Sequence, residues 1–144
     1  MHISGFDLLR NIYLTIEAGK VNVLVGPNGA GKSSLLRVLT GEIKPSKGDV
    51  LINQQPLNDW SMQDRANILA VLPQHSELNF PFNAAEVVGL GRSPHKTGFA
   101  KDQAIIAEAV ELVDASHLQC MRYTQMSGGE RHRFQLARVL TSIW

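Results

Sequence analysis

Eight consecutive residues, Gly26-Pro27-Asn28-Gly29-Ala30-Gly31-Lys32-Ser33, spell G-x-x-x-x-G-K-S, a phosphate-binding loop. A short apolar run, residues 21–25, precedes it, and Ser34-Leu35-Leu36-Arg37-Val38-Leu39 comes after it. Strand, glycine loop and helix is the setting this motif requires, and it commits the stretch to an α/β arrangement. Gly26, Gly29 and Gly31 are expected to let the backbone turn tightly and bring its N–H groups against a polyphosphate without a Cβ in the way. The helix after the loop would present unpaired N–H groups and the positive end of its dipole to the same anion. Lys32 is then expected to reach the β- and γ-phosphates and the Ser33 hydroxyl to ligate Mg²⁺. Pro27, Asn28, Ala30 and Ser34 complete the expected cradle.

The remaining composition sets few limits but useful ones. The 144 residues are enough for one domain with a core, and 44% hydrophobic with 19% charged is ordinary globular content. A formal net charge of +1 creates no broad field for nucleic acid or anionic lipid. Cys120 is the single cysteine, so no internal disulfide can form, which fits a reducing compartment. No apolar run has the length of a membrane span, and Met1-His2-Ile3-Ser4-Gly5-Phe6 lacks the features of a signal peptide. A soluble protein, linked to a membrane only through a partner, is the expectation.

Periodicity and turn residues divide the chain. Residues 12–16, 21–25, 49–53 and 68–72 are predicted strands, with turns at Glu17-Ala18-Gly19-Lys20 and Pro45-Ser46-Lys47-Gly48. Ser61 with Asp64 predicts a capped short helix, and Asn83 a second one through residues 84–88. Residues 92–98 are a predicted loop. Residues 102–114 form a predicted amphipathic helix with Ile105, Ile106, Ala109, Val110 and Val113 on one side, and 131–143 a further helix. Strands mixed with helices around a nucleotide loop indicate an α/β fold with a parallel sheet.

A second motif, Met126-Ser127-Gly128-Gly129-Glu130, opens that last helix. A serine and two glycines at a helix start make another anion site from backbone N–H groups. Together with the phosphate loop, and in this order, the motif resembles the signature of the ATP-binding-cassette (ABC) ATPases. Glu130-Arg131-His132-Arg133-Phe134-Gln135-Leu136-Ala137-Arg138 fits the family's pattern immediately C-terminal to that signature, and Gln74, after Pro73, matches the family's Q-loop glutamine. The resemblance spans nearly the whole chain. It implies a P-loop NTPase domain of the ABC type, with a mixed or parallel sheet and a helical subdomain. Residues 1–73 would be the nucleotide-binding core, 74–125 the Q-loop and helical subdomain, and 126–144 the signature and its helix.

The resemblance also implies a mechanism. Two such subunits pair head to tail around two Mg-ATP, each held by one subunit's loop and the other's signature. Ser127, Gly128 and Gly129 would act in trans on the γ-phosphate, and Gln74 would sense Mg²⁺ and the attacking water. Implied partners are a second ATPase subunit, two transmembrane permease subunits and, indirectly, a periplasmic heme-binding protein, with the subunit peripheral on the cytoplasmic face of the inner membrane. Leu72-Pro73-Gln74-His75-Ser76, Phe80-Pro81-Phe82 and Glu86-Val87-Val88-Gly89-Leu90-Gly91-Arg92-Ser93-Pro94-His95 resemble the hemin-import ATP-binding subunits. The G-R-x-P element is shared with iron-siderophore and cobalamin importers.

The family pattern next calls for a Walker B strand with an aspartate for Mg²⁺ and a glutamate for water, and then a switch histidine. No residue up to Trp144 takes those roles, and neither His2 nor Phe6 is a firm match for the adenine-stacking aromatic. The expectation is therefore a C-terminally truncated domain, inactive alone. Two alternatives are a non-catalytic nucleotide-binding fragment and a non-transport ABC-type ATPase. For the latter, too few residues separate Lys32 from Ser127 for the coiled coil of DNA-repair members. His2, His75, His95, His117 and His132 share no zinc-like spacing, though His117 and Cys120 stand three apart. Arg131, His132, Arg133 and Arg138 are expected to support the signature helix rather than bind nucleic acid, and Trp60 and Trp144 to serve packing.

Overall fold

In the computed structural model the described residues are 2–3, 6–7, 9–74, 78 and 80–144, of which 2–3 and 6–7 are described by backbone pairing alone. His75 and Ser76, part of the stretch after Pro73, lie outside them. The chain divides into two compact units, residues 1–60 and 61–144.

In the first unit, β1 (His2–Ile3) pairs antiparallel with β2 (Phe6–Asp7). Helix α1 (Lys32–Leu39) comes directly after the glycine loop and buries Val38. It ends where the Gly41 N–H donates to the Val38 carbonyl at 3.1 Å and the Ile43 N–H to Arg37 at 3.1 Å. Gly41, at φ 76°, supplies the left-handed turn that such an ending needs. β3 (Leu51–Ile52) and β4 (Gln55–Pro56) form a hairpin whose two loop residues, Asn53 and Gln54, both have positive φ (50° and 66°). Such a two-residue turn matches the twist of the flanking strands.

The strand predictions hold only in part. Of residues 49–53, Leu51 and Ile52 pair, but with a hairpin partner. Residues 12–16, 21–25 and 69–72 have no ladder, and Ile68 ends a helix instead. Among the described residues both two-stranded pieces are antiparallel and no parallel ladder is present. The physical reason is that a strand exists only through a neighbour's hydrogen bonds. Val21, Val23 and Val25, whose apolar run suits a strand covered on both faces, are 94%, 78% and 85% exposed. In the same unit, an open cleft of about 570 Å³ is lined by residues that include Ile12, Leu14, Leu35 and Leu51.

The second unit is helical and well packed. α2 (Met62–Ile68) starts at Ser61, whose hydroxyl accepts from the Asp64 N–H at 3.0 Å. α3 (Ala84–Gly89) starts at a reciprocal cap: Asn83 Oδ1 accepts from the Glu86 N–H at 2.9 Å, and Glu86 Oε2 accepts from the Asn83 N–H at 2.8 Å. The next two donors of α3, on Ala84 and Ala85, reach the carbonyls of Met121 and Gln119. α4 (Phe99–Leu112) begins three residues earlier than predicted, after Gly98 at φ 90°. α5 (Gly128–Ile143) is the longest helix among the described residues. The core joins Ala84, Val87 and Val88 of α3 to Ile106, Ala109 and Val110 of α4 and to Phe134 and Ala137 of α5, closed by Val113, Tyr123 and Met126. The predicted apolar face of α4 is the one that is buried, with Ile105 half-covered at its edge.

The predicted loop at 92–98 is more ordered than its composition suggests. Arg92 belongs to a 3₁₀ turn, Leu90–Arg92, and is buried. Its neighbour Gly91 lies so close to α5 that a Cβ there would overlap the Arg138 carbonyl oxygen and Thr141 Oγ1. Neither obstacle is the flexible end of a long side chain. Gly91→Ala is therefore expected to cost about 1–3 kcal/mol through overpacking, measured as a lowered midpoint in equilibrium urea denaturation; an unchanged midpoint would mean that the turn yields freely.

Candidate functional site

The glycine loop folds back on itself through its own lysine. Lys32 Nζ donates to the carbonyl oxygens of Gly26 and Pro27, at 2.7 Å each. The Ala30 N–H closes a turn onto the Pro27 carbonyl at 3.3 Å. Gly29 and Gly31 sit at φ 83° and 86°, where an L side chain is strained, so both need glycine. Gly26 does not need it sterically: a Cβ there would make an ordinary 3.6 Å contact with Ala30. Gly31 is the N-cap of α1 and provides no side-chain acceptor. The first N–H groups of α1, on Lys32, Ser33 and Ser34, thus have no intrahelical partner and face the dipole's positive end. Ser33 is exposed, and Ser34 half-buried. Pro27, Asn28 and Ala30 are exposed within the same loop.

The second motif is built differently. Ser127 caps α5: its hydroxyl donates to Glu130 Oε2 at 2.7 Å and accepts from the Glu130 N–H at 3.4 Å, while the Ser127 N–H donates to the same carboxylate at 2.7 Å. The Ser127 hydroxyl, then its backbone N–H, hold the Glu130 carboxyl below its ordinary value. Gly128 and Gly129 occupy the first two helical positions, are exposed, and a Cβ at either would meet nothing within 4 Å. The fold therefore has no steric need for glycine at these two places, and glycine costs roughly 0.5–1 kcal/mol relative to alanine in a helix. What glycine does allow there is close approach of another group to the backbone N–H groups.

Three of the four basic residues of α5 are occupied in holding it. An Arg131 Nη donates to the Thr124 carbonyl at 2.8 Å, and the guanidinium lies 5.9 Å from the Tyr123 ring centroid. An Arg133 Nη donates to the Asp114 carbonyl at 3.1 Å, and Arg138 Nε to Gln135 Oε1 at 2.8 Å. Gln135 Nε2 in turn donates to the buried Tyr123 hydroxyl at 2.8 Å. The Tyr123–Gln135 bond was not legible in the sequence, since neither residue type signals burial by itself. Its only trace is that both flank the signature.

Gln74 is exposed at a bend after Pro73. Residues 26–34 belong to the first unit, and Gln74 and residues 127–130 to the second. His117 and Cys120 are not brought into a cluster: no group of three or more metal-ligating side chains occurs among the described residues. No helix among them is long and apolar enough to cross a membrane.

Comparison with known proteins agrees with the two motifs. The ABC transporter family model matches residues 9–142. The hemin import ATP-binding protein HmuV of Pseudomonas putida is 51% identical over 138 residues, which are 96% of this chain and 54% of that protein. Its counterpart in Pseudomonas entomophila is 49% identical, with the same 96% and 54% covered. The chain thus spans about half the length of the curated relatives it matches. Among solved structures, a metal-chelate type ABC transporter in an inward-facing conformation matches with a TM-score of 0.68 and 27% identity, over 83% of this chain and 44% of that one. The α/β P-loop fold of the ABC ATPase domains is therefore the fold of this chain, although few of its strands are paired among the described residues.

The Glu130 cap has a definite pH signature. A carboxyl held below its ordinary value stabilises the fold at pH above that value, 4.5 for Glu130, and the contribution is lost as pH falls through the lower folded-state value. Carbon-13 NMR titration of Glu130 is expected to give a midpoint below 4.5. Ser127→Ala should move that midpoint upward, and a midpoint that ignores the substitution would contradict the cap.

Proposed function

The chain belongs to the ABC transporter family, and we propose that it forms part of the ATP-binding subunit of an importer. In this reading the intact subunit couples ATP binding and hydrolysis to uptake of hemin, or of a related iron-siderophore or cobalamin complex. Half-identical relatives named as hemin import proteins support the cargo. The observation that carries the chemistry is the uncapped start of α1 behind two positive-φ glycines, which leaves its first N–H groups open to an anion.

The residues fit Mg-ATP by their donor set. Gly26, Pro27, Asn28, Gly29, Ala30 and Gly31 form the loop whose backbone donors would cradle the phosphates, and Ser34 lies on the first turn behind it. Lys32 has an ammonium that can exchange the carbonyls of Gly26 and Pro27 for phosphate oxygens, gaining a charge-assisted bond. The Ser33 hydroxyl and the Gln74 amide are hard oxygen ligands of the kind Mg²⁺ takes. When bound, the ion neutralises phosphate charge. Ser127, Gly128 and Gly129 are assigned to the γ-phosphate held by a second copy, which explains glycines that the fold does not require.

Residues 1–73, 74–125 and 126–144 are assigned as core, Q-loop with helical subdomain, and signature helix. The proposed assembly is two ATPase subunits with two permease subunits, served by a periplasmic heme-binding protein, on the cytoplasmic face of the inner membrane. Catalysis also needs a Walker B aspartate and glutamate. No residue of 1–144 is assigned to either, so this stretch alone is proposed to bind nucleotide without turning it over.

Two substitutions in the intact subunit separate the roles. Lys32→Ala removes charge-assisted bonds worth about 1.5–3 kcal/mol, so affinity for a fluorescent ATP analogue should fall about ten- to hundredfold; unchanged affinity would defeat the loop assignment. Ser127→Arg should leave binding by one subunit nearly intact and abolish hydrolysis by the pair, since the arginine side chain blocks closure on the partner's phosphate. If it weakened single-subunit binding as much as loss of Lys32 does, the assignment in trans would be wrong.

A further inference from the structure

We propose that Arg92 is a positioning residue that holds α5 at Thr141 and, through that helix, aims Ser127, Gly128 and Gly129 at its start. The proposal rests on the signature reading above, because it concerns how the signature is held in place.

Arg92 is only 4% exposed, unusual for an arginine unless its donors are paired. Its guanidinium makes four hydrogen bonds. Nε donates to Asp102 Oδ1 at 2.8 Å, Nη2 to Thr97 Oγ1 at 2.8 Å, and Nη1 to the carbonyls of Thr141 at 2.7 Å and Trp144 at 3.0 Å. These partners lie in the turn before α4, in its first helical turn and at the end of α5. A buried guanidinium, itself neutralised by Asp102, thus ties residues 141–144 to α4 by directional bonds.

The neighbours of Arg92 hold the same place. Gly91 leaves no room for a side chain against the Arg138 carbonyl and Thr141. Thr141 Oγ1 donates to the Val88 carbonyl at 3.1 Å, at the end of α3. His95 Nε2 lies 3.0 Å from the Ser142 carbonyl, and Gln63 of α2 donates to the Pro94 carbonyl at 2.9 Å. The turn and loop at 90–98 thereby tie α2, α4 and the end of α5 together by directional bonds, and Thr141 adds α3. The start of α5, by contrast, has its glycines in the open.

Length supplies the leverage. Gly128 and the anchored Thr141 lie on one helix, about 20 Å apart along its axis, so a tilt of about 6° about the buried middle moves the signature by about 1 Å. A displacement of about 1 Å in a positioned group can cost about a hundredfold in rate. Lysine in place of Arg92 keeps the charge but has a single ammonium and no planar fork, so it cannot hold Asp102, Thr97 and both carbonyls together.

The test uses the full-length subunit, with Arg92→Lys and the milder Asp102→Asn, each assayed well below its own melting temperature. Arg92→Lys is expected to lower kcat per folded molecule about 10- to 100-fold while KM for ATP stays within about twofold. Amide hydrogen exchange at Gly128, Gly129, Glu130 and Arg131 should speed up at the same time. Asp102→Asn should move kcat and exchange the same way by less, and it decides the matter if Arg92→Lys does not fold. A lowered melting temperature with native kcat per folded molecule and native exchange at 128–131 would overturn the proposal and leave Arg92 a stabilising residue only. If the native subunit hydrolyses no ATP, the transport reading fails, and the exchange measurement alone decides the role of Arg92.

Discussion

Every helix begins with backbone N–H groups that it cannot satisfy itself, and the rest of this molecule depends on how that constraint is met. α2, α3 and α5 meet it with side chains: Ser61, Asn83 and Ser127 each accept from the N–H three residues on. α1 does not. Its cap is Gly31, which fixes a left-handed turn and offers no acceptor. The helix start preceded by a loop of positive-φ glycines, with a lysine bent over it, is thus also one whose donors the chain leaves to something else. The start of α5 is intermediate, since its serine is engaged with Glu130 while its two glycines remain open to approach.

The helical unit shows how such ends are kept in place. Apolar packing of α3, α4 and α5 around Val87, Val110 and Phe134 supplies the non-directional attraction. Packing alone tolerates sliding and rotation, and the directional bonds remove that freedom. Tyr123, Gln135 and Arg138 form one such chain near the signature, and Arg92 with Asp102 and Thr97 another at the far end of α5. The Thr97 hydroxyl, and after it the Arg92 guanidinium, hold the Asp102 carboxyl below its ordinary range, so it stays ionised and the pair stays charged at neutral pH.

The first unit is governed by the opposite circumstance. Its apolar runs at 12–16 and 21–25 have the composition of buried strands and no ladder among the described residues. Even so, the local chemistry beside them is intact. The turn at Gly48, the hairpin at Asn53 and Gln54, and the loop before α1 all show the positive φ angles that tight turns use. Short-range preferences act through neighbouring residues and need no sheet; strand pairing does.

The same distinction separates what the amino-acid sequence determined alone from what tertiary structure decided. The glycine loop leading into α1, the caps at Ser61 and Asn83, and the buried face of α4 were legible, because each is set by residues within a few turns of one another. The family was legible for a related reason: the loop and signature are contiguous motifs. Three things were not. Residues 12–16 and 21–25 read as strands, yet pairing depends on partners that periodicity does not name. Which glycines of the loop the fold itself requires was not legible either: Gly29 and Gly31 have positive φ, whereas a Cβ at Gly26 would only touch Ala30. Arg92 read as part of a polar loop, yet it is buried, because Asp102 from α4 and the carbonyls of Thr141 and Trp144 converge on it from up to 52 positions away. Local chemistry chose the helices and where they start, whereas burial and long-range hydrogen bonds, which exist only once distant segments meet, decided which polar residues became anchors.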